Sequence, residues 1–323
     1  MNKIKKINKV IGICLSNIKK EKLGMNDIEK YGLERGIIFI DFLKNDISKI
    51  SDTLKKNNHI DIEYVLIKVK DAFTPEQKKM ALYTLNYCVD NNIKLVDNIK
   101  SQKMLNDREY MAHIFTNLVK EINSPHLIFP KTCIGDNINE IKEQMKKNKI
   151  TYPIICKPRN DACCNNFHGM TIISNENSMD KFDPSNNIIQ QFHDHGGIIY
   201  KIYVINNKYQ VVVKSSIDNY QNNNNSKDII KFNTSDIKLD EISEDKLCHN
   251  NILPSTPPDF LDKLTRKLSE MFDITIYGYD LIRLFGTDIY AIIDINYFPG
   301  FVGFQNFKKH FCDSILENDL NIK

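Results

Sequence analysis

Two acidic residues and an amide lie in the last pair of apolar segments of the chain, "ITIYGYDLIRL" and "DIYAIIDIN". If these segments are antiparallel strands joined by a turn near Gly286, Asp280 lies opposite Asp294 or within one position of it. Asn296 shares the face of Asp294, because side chains alternate with period two along a strand. Two carboxylates and an amide oxygen, completed by water and phosphate, are typical ligands of Mg²⁺. The spacing therefore predicts a divalent-cation site.

The alternative interpretation of these residues is an edge hairpin with two acids exposed to solvent. Like charges directly opposite each other destabilise a half-buried sheet. The apolar setting and the third oxygen ligand therefore favour the cation site. Pro299 and Gly300 follow the second segment at once. They predict a rigid turn at which the backbone comes close to a ligand.

Basic residues inside other apolar segments indicate phosphate groups next to this cation. Lys157 lies near the end of "PIICKP", Lys201 lies within "YKIYVI", and Arg108 begins a helix in "NDREYM". A cation at a helix N-terminus opposes the helix dipole, which favours an anionic ligand for Arg108. Each of these residues alone is more often a solvated surface charge. Together they predict a site for nucleotide phosphates.

The pattern of apolar segments predicts the elements that carry these residues. Strands alternate with helices over residues 1–100, which predicts an α/β domain built on a doubly wound parallel sheet. Helix-interrupted antiparallel strands dominate the remainder, so that part is α+β. We expect two subdomains in it, at residues 101–189 and 190–323.

Local signals define several elements within these parts. Thr74 is the expected N-cap of a helix and Pro75 its first residue. A further helix is predicted at residues 47–58. The hairpin "GGIIYKIYVINNKYQVVVKSSI" has its expected turn at Asn206 and Asn207.

The composition excludes several classes of protein. The chain has 323 residues, of which 41% are hydrophobic and 26% charged, and this is typical of a soluble protein of two or three domains. A formal net charge of +3 is far below that of a general nucleic-acid binder. No apolar run has transmembrane length, and the run at residues 10–15 is too short for a signal peptide. Eight cysteines without a C-x-x-C pair predict reduced thiols and a cytoplasmic protein.

Nine segments, in order and over nearly the whole chain, resemble one family. They are "IGICLSNIKK", "LIKVKD", "NDRE", "IICKPR", "HGM", "IIQQF", "YKIYVI", "VKSS" and "IIDINYFPGFVG". The family is that of the inositol 1,3,4-trisphosphate 5/6-kinases, also called inositol tetrakisphosphate 1-kinases. The resemblance implies an ATP-grasp fold, in which the N-terminal doubly wound sheet precedes two α+β subdomains that clasp the nucleotide. It also implies ATP as phosphoryl donor and two Mg²⁺ ions as cofactors.

The resemblance implies roles for individual residues of this chain. Asp280, Asp294 and Asn296 match the metal ligands, and the catalytic positions are Asp294 and Lys201. The positions that match nucleotide contacts are Arg108, Lys157, Gln190, Gln191, Phe192, Lys201 and Ser216. The positions that match contacts to the phosphorylated inositol are Lys19, Lys68, His168, Lys201, Asn296 and Gly300. Lys19 and Lys68 also follow separate predicted strands of the parallel sheet, where ligands bind beyond the carboxyl ends.

Some residues depart from the family pattern. Lys214 stands where related kinases often have Arg, so a phosphate contact there loses bidentate geometry. Thr234 stands where relatives tend to have Ser near the nucleotide, and we leave it out of the predicted site. His193 and His195, in "FHDHGG", resemble a metal-binding pair, but a hydrated turn after a strand is the simpler interpretation.

The predicted function is transfer of the γ-phosphate of ATP to a free hydroxyl of an inositol polyphosphate, by a kinase that works as a cytoplasmic monomer. Neither nucleic acid nor a membrane is an expected partner. One alternative is an ATP-grasp carboxylate–amine ligase, which would share the nucleotide half of the site. Another is a non-catalytic sensor of nucleotides or inositol polyphosphates. The lysines of the N-terminal part argue against the ligase, and the complete acidic set argues against the sensor.

Overall fold

The structure is a computed structural model that describes residues 9–44, 62–71, 73–159, 169–217, 228–234 and 251–317. The helix predicted at residues 47–58 and the predicted substrate contact His168 lie outside these ranges. The helices are α1 (Asn17–Leu23), α2 (Met25–Glu34), α3 (Pro75–Asp90), α4 (Ile99–Met104), α5 (Arg108–Ile122), α6 (Ile138–Asn148), α7 (Glu176–Met179), α8 (Phe260–Phe272) and α9 (Phe307–Leu316). The strands are β1 (Lys9–Cys14), β2 (Ile37–Asp41), β3 (Tyr64–Ile67), β4 (Lys94–Leu95), β5 (Leu127–Ile128), β6 (Thr132–Ile134), β7 (Ile154–Pro158), β8 (Gly169–Ile173), β9 (Asn187–Gln191), β10 (Ile198–Ile205), β11 (Lys208–Ser215), β12 (Ile229–Asn233), β13 (Ile276–Arg283) and β14 (Tyr290–Tyr297).

The N-terminal sheet is parallel and carries helices on both faces. Its strand order is β2-β1-β3-β4, and each neighbouring pair is parallel. Ile13 faces the core that includes Ile28 of α2, whereas Val65 faces the core that includes Ala81 and Cys88 of α3. The predicted doubly wound arrangement is therefore confirmed.

Helix caps explain where two of the N-terminal helices begin. Thr74 accepts a hydrogen bond from the backbone N–H of Gln77, whose side chain accepts from the Thr74 N–H in return, so the predicted N-cap is confirmed. Helix α1 is an element that the sequence pattern did not predict. The strand ends at Cys14, and Ser16 caps a helix by accepting from the N–H of Lys19 at 3.1 Å. Lys19 therefore lies in the first turn of a helix that directly follows the first strand.

The central sheet is antiparallel, with strand order β12-β8-β7-β9-β6. One face packs on α6, with Ile141 against Cys156 and Ile189 in a single buried cluster. Because side chains alternate along each strand, Ile155 and Lys157 belong to the other face. That face points towards the third sheet.

The C-terminal sheet has the strand order β11-β10-β13-β14-β5. The hairpin turn at Asn206 and Asn207 has φ of +48° and +60°, as a two-residue type I′ turn requires, which confirms the predicted turn. In the hairpin of β13 and β14, Asp280 pairs with Asp294. The pairing predicted from the sequence is therefore correct.

A β-bulge interrupts that hairpin beside the two acids. Asp280 pairs with Asp294, but the next residue, Leu281, pairs with Ile292. Ile293 is therefore the extra residue of β14. Such a bulge redirects side chains and leaves a backbone group outside the ladder. Ile293 borders the cleft described below, and its carbonyl oxygen accepts a hydrogen bond there.

The N-terminal and C-terminal sheets share one buried core and a polar contact. Ile11 and Leu66 belong to the same apolar cluster as Tyr297 and other residues of the C-terminal sheet. Asp97, fully buried after β4, accepts hydrogen bonds from the backbone N–H of Thr275 at 2.8 Å and from its hydroxyl at 2.9 Å. The same carboxylate accepts from the N–H of Ile276 at 3.1 Å. The two sheets are therefore held in one arrangement.

The described cysteines are all free thiols, and none of the described helices has the length and apolar character needed to cross a bilayer. These cysteines are Cys14, Cys88, Cys133, Cys156 and Cys312, and each is buried. Burial raises the pKa of all five, to about 11 at Cys88 and Cys133 and about 12 at Cys14 and Cys312. They therefore pack as small apolar residues.

Candidate active site

A cleft of about 390 Å³ separates the free face of the central sheet from the C-terminal sheet. Polar side chains from both sheets and from α5 border it. The predicted site residues that border it are Arg108, Lys157, Gln190, Gln191, Phe192, Lys201, Ser216, Asp280, Asp294 and Asn296. The structure thus brings together the positions assigned to the nucleotide and the metal.

A row of three charged side chains crosses the C-terminal sheet at the cleft. Lys201 of β10 pairs with Asp280 of β13, which pairs with Asp294 of β14. The Lys201 ammonium donates to the Asp280 carboxylate, and their side chains are 28% and 13% exposed. Burial acts to lower the pKa of Lys201, but the negative charge and hydrogen bond of Asp280 outweigh it, so the pKa is raised and the lysine stays protonated.

The acids of this row fit a divalent cation that a ligand helps to hold. Asn296 lies two residues beyond Asp294 on the same face and donates to its carboxylate at 2.9 Å. Within the ranges that the structure describes, no group of three His, Cys, Asp or Glu side chains forms a metal site by itself. Two carboxylates and one amide oxygen, completed by water and phosphate, form the kind of site that Mg²⁺ adopts. Asp280, Asp294 and Asn296 could therefore hold a nucleotide-bound cation.

Two cations of the cleft are fixed by backbone carbonyls. Arg108 is 8% exposed and donates to Pro158 O at 2.7 Å, while its backbone N–H donates to Arg159 O at 2.9 Å. These contacts join α5 to the end of β7. Lys157 donates to Ile293 O, at the bulge of β14, at 3.4 Å. The pKa of Lys157 is lowered to about 8 by burial and, to a smaller extent, by the charge of Arg108, against the opposing effect of the two acids of the row.

Four residues that the sequence singled out but that lie outside the predicted site also border the cleft: His193, His195, Lys214 and Thr234. Burial lowers the pKa of Lys214, with a further contribution from Lys201. Thr234 follows β12 in the position where relatives tend to have serine, so the family pattern was a signal that could have included it. Lys214 likewise stands where related kinases often have Arg, so the same pattern indicated this position.

His195 is buried, so its interpretation as part of a hydrated turn is wrong. It is 7% exposed, its Nδ1 lies 2.9 Å from His193 O, and its Nε2 lies 2.9 Å from the hydroxyl oxygen of Ser216. Burial lowers the pKa of His195, against smaller opposing effects of its contacts with His193 and Asp194. The neutral imidazole therefore anchors Ser216 at the edge of the cleft.

Lys19 and Lys68 do not border the cleft and instead meet the turn that follows β14. The side-chain nitrogen Nζ of Lys19 donates to Phe298 O and to Pro299 O, the latter at 2.5 Å, and Lys68 donates to Phe298 O at 3.2 Å. Burial lowers the pKa of Lys19 to about 6, with a smaller contribution from Lys68, and burial also lowers the pKa of Lys68. Two lysines from the N-terminal part thus converge just beyond the acidic row.

The turn that they contact is strained at two phenylalanines rather than at its glycine. Phe298 and Phe301 have φ of +39° and +50°, in the left-handed region that costs energy for residues with a Cβ. A Cβ on Gly300 would meet its nearest neighbour, Val302, at an ordinary 3.6 Å. The surroundings of Gly300 therefore do not explain why a glycine is needed there, and its contact with substrate stays a prediction.

Comparisons with known proteins agree with this arrangement. The family model of the inositol 1,3,4-trisphosphate 5/6-kinase ATP-grasp domain matches residues 121–317. Inositol-tetrakisphosphate 1-kinase of Danio rerio is 33% identical over 218 residues, which are 66% of this chain and 52% of that protein. Inositol-tetrakisphosphate 1-kinase 1 of Oryza sativa subsp. indica is 30% identical over 179 residues, 54% of this chain and 50% of that protein. The chain spans about half the length of these relatives.

Solved structures share the fold at low sequence identity. Macrocyclase MdnC of Microcystis aeruginosa aligns with a TM-score of 0.59 at 10% identity, over 96% of this chain and 100% of that one. D-alanine–D-alanine ligase of Bacillus anthracis aligns with a TM-score of 0.53 at 12% identity, over 97% of each chain. The fold is that of the ATP-grasp proteins, and since the family model covers more than half of the chain, the protein belongs to the inositol 1,3,4-trisphosphate 5/6-kinase family.

Proposed function

We propose that the protein is a Mg²⁺-dependent kinase that transfers the γ-phosphate of ATP to a free hydroxyl of an inositol polyphosphate. The observation that carries the proposal is the row of Lys201, Asp280 and Asp294, which faces the cleft. The turn that Lys19 and Lys68 contact directly follows β14, the strand that carries Asp294. A cation and phosphate site thus lies between a nucleotide cleft and a pair of lysines suited to a polyphosphate.

The nucleotide occupies the cleft between the two antiparallel sheets. Its base lies against the strand end formed by Gln190, Gln191 and Phe192, whose backbone receives it, and Ser216 contacts it from the other sheet. Arg108 and Lys157 hold its phosphates, because both are buried, positively charged and already oriented by carbonyl oxygens. Preformed cations of this kind bind phosphate without reorganisation at the moment of reaction.

Two Mg²⁺ ions are the proposed metal cofactors, held by Asp280, Asp294 and Asn296. When bound, they neutralise charge on the β- and γ-phosphates. The protein's own part is to supply carboxylates whose separation the bulged hairpin sets. Lys201 already neutralises Asp280 and lies where the transferred group passes, so it stabilises charge on that group.

The acceptor inositol phosphate binds beyond the row, between the lysines and the turn. Its phosphates contact Lys19, Lys68 and Lys201, with His168, Asn296 and Gly300 as further proposed contacts. In the step itself, an acceptor hydroxyl oxygen forms a bond to Pγ while the bond from Pγ to the bridging oxygen of ADP breaks. The hydroxyl proton passes to solvent. Catalysis is mainly positioning and charge neutralisation.

Incubation of the full chain with Mg²⁺-ATP and a panel of inositol tris- and tetrakisphosphates, with product isomers separated, tests the proposal. We expect transfer to at least one inositol phosphate, and no transfer by Asp294→Asn. ATP hydrolysis that depends on an amino acid or peptide, with no inositol phosphate product, would identify a carboxylate–amine ligase instead. Binding of ATP and inositol phosphate without turnover would identify a sensor.

The setting of this activity is part of the proposal. We infer a monomer acting in the cytoplasm on small molecules, with neither nucleic acid nor a membrane as partner. Size-exclusion chromatography with light scattering checks the first point. A mass of twice that of the chain would contradict it.

A further inference from the structure

The side chain of Gln190 lies on the free face of the central sheet and borders the cleft, where it is only 2% exposed. Its amide nitrogen Nε2 donates to the hydroxyl oxygen of Thr132 at 3.0 Å. Its amide oxygen Oε1 is buried and has no hydrogen-bond partner within the described part of the chain. Buried acceptors are rarely left unpaired in folded proteins, so this oxygen is suited to receive a hydrogen from a ligand.

Thr132 determines which end of the Gln190 amide is unpaired. The two residues lie opposite each other on β6 and β9. The Thr132 hydroxyl lies 2.9 Å from Pro130 O and, because a carbonyl oxygen can only accept, the hydroxyl hydrogen points there. The Thr132 oxygen then has only lone pairs to offer Gln190. The amide must therefore turn its NH₂ group to Thr132, and the oxygen is the end that remains.

The same reasoning applies to Ser216, across the cleft. His193 O can only accept, so Nδ1 of His195 carries a hydrogen and donates to it. Burial favours the neutral imidazole by lowering its pKa. Nε2 of a neutral ring protonated at Nδ1 can only accept, so the Ser216 hydroxyl donates to it. What Ser216 offers a ligand is therefore the lone pairs of its oxygen.

We propose that Thr132 and His195 are positioning residues that make Gln190 and Ser216 hydrogen-bond acceptors towards the nucleotide. A base with an exocyclic amine at the position of Gln190, as in adenine, is thereby preferred over one with a carbonyl oxygen there, as in hypoxanthine. The inference rests on the proposed nucleotide site. It adds the residues by which this chain selects the base.

Replacement of Thr132 by valine tests whether Thr132 orients the Gln190 amide, because it removes the hydroxyl at nearly constant side-chain shape. The Gln190 amide can then turn over and present its NH₂ group. Calorimetric titration of the full chain with Mg²⁺-ATP and with Mg²⁺-ITP gives a ratio of affinities. We expect this ratio to fall about tenfold or more in Thr132→Val, since ATP loses one hydrogen bond and ITP gains one. Thr132→Ser, which keeps the hydroxyl, restores the ratio.

Thr171→Val is the matched control, because Thr171 lies on the same sheet and does not border the cleft. It is expected to leave the ratio of affinities unchanged. If Thr132→Val does not fold, Gln190→Met replaces it as the test. Methionine offers neither a strong donor nor a strong acceptor, so the ratio should again fall.

Replacement of His195 tests whether His195 orients the Ser216 hydroxyl. We expect His195→Phe and Ser216→Ala each to weaken ATP binding roughly three- to tenfold, and the double variant to be no weaker than either. A wild-type protein that binds neither nucleotide would reject the proposed function and the inference together. The inference alone would be rejected by three results together. The wild-type protein turns over ATP, the ratio of ATP to ITP affinity is unchanged in Thr132→Val, and the losses of His195→Phe and Ser216→Ala multiply in the double variant.

Discussion

The row of charges across the C-terminal sheet predicts unequal effects on stability when its two acids are replaced. Asp280 neutralises Lys201, so Asp280→Asn leaves a half-buried ammonium without its counter-charge. Asp294 repels Asp280 but attracts Lys157 and Lys201. These contributions oppose each other in Asp294→Asn. Both variants should lose transfer activity, while only the first should lose stability.

The magnitudes follow from the exposure of the pair. Surface ion pairs contribute about 0–1 kcal/mol, and breaking a fully buried pair costs about 3–5 kcal/mol. Side chains that are 28% and 13% exposed lie between these limits. We therefore expect Asp280→Asn to cost about 2 kcal/mol, or roughly 3 °C in Tm, and Asp294→Asn to cost less than about 0.5 kcal/mol.

Thermal unfolding in EDTA and again with Mg²⁺ and ADP measures both effects. The wild-type protein should gain about 2.7 kcal/mol of stability when the nucleotide is at a hundredfold excess over its Kd, and both variants should lose most of this gain. Asp262→Asn, on the exposed side of α8, is the matched control and should change neither measurement. Equal destabilisation by the two variants, or transfer activity retained in Asp294→Asn, would refute the reasoning.

Three further predictions concern Lys19, Lys157 and Asp97. The pKa of Lys19 is lowered to about 6, so the unfolded chain binds an extra proton above that pH, and the unfolding free energy should rise with pH from about 6 to 10. Denaturant titrations of Lys19→Met should show a smaller rise, because only the contributions of Lys68 and Lys157 remain. An equal rise in both proteins would contradict the prediction. Lys157→Met should weaken ATP binding roughly ten- to a hundredfold in calorimetry, whereas Lys263→Met, at an exposed position of α8, should leave it unchanged. Asp97→Ala leaves two buried backbone N–H groups unpaired and should lower the free energy of unfolding by about 3–5 kcal/mol in urea titrations. An unchanged urea midpoint would contradict this prediction.

The hairpin register was predictable to within one position, because it depends mainly on the turn position and the period of two. The bulge at Ile293, which shifts the pairing by one residue between the turn and the two acids, was not predictable. An extra residue in an apolar strand leaves the composition of the strand unchanged. Yet the bulge supplies the carbonyl that Lys157 contacts, so one part of the cleft depends on a feature without a sequence signal.

The helix α1 was missed although its caps were readable. Ser16 and Gly24 are typical N-cap and C-cap residues. The helix between them is short and directly follows an apolar strand, so the pattern predicts the end of that strand instead. The contacts of Lys19 with Phe298 and Pro299 were beyond sequence reasoning for another reason. They join residues about 280 positions apart in the chain, and nothing local to either end indicates the other.

The contact of Asp97 with Thr275 and Ile276 has a consequence for protein engineering. The N-terminal sheet supplies the lysines proposed for the acceptor, and a designer would naturally try to exchange it for that of a relative to change acceptor choice. At the boundary of this sheet, the buried Asp97 carboxylate accepts hydrogen bonds from three donors of Thr275 and Ile276, at the start of β13. The N-terminal and C-terminal sheets also share one apolar core. A working chimera must therefore carry over the strand start at Ile276 together with the N-terminal sheet, and acceptor choice cannot be transplanted as an independent module.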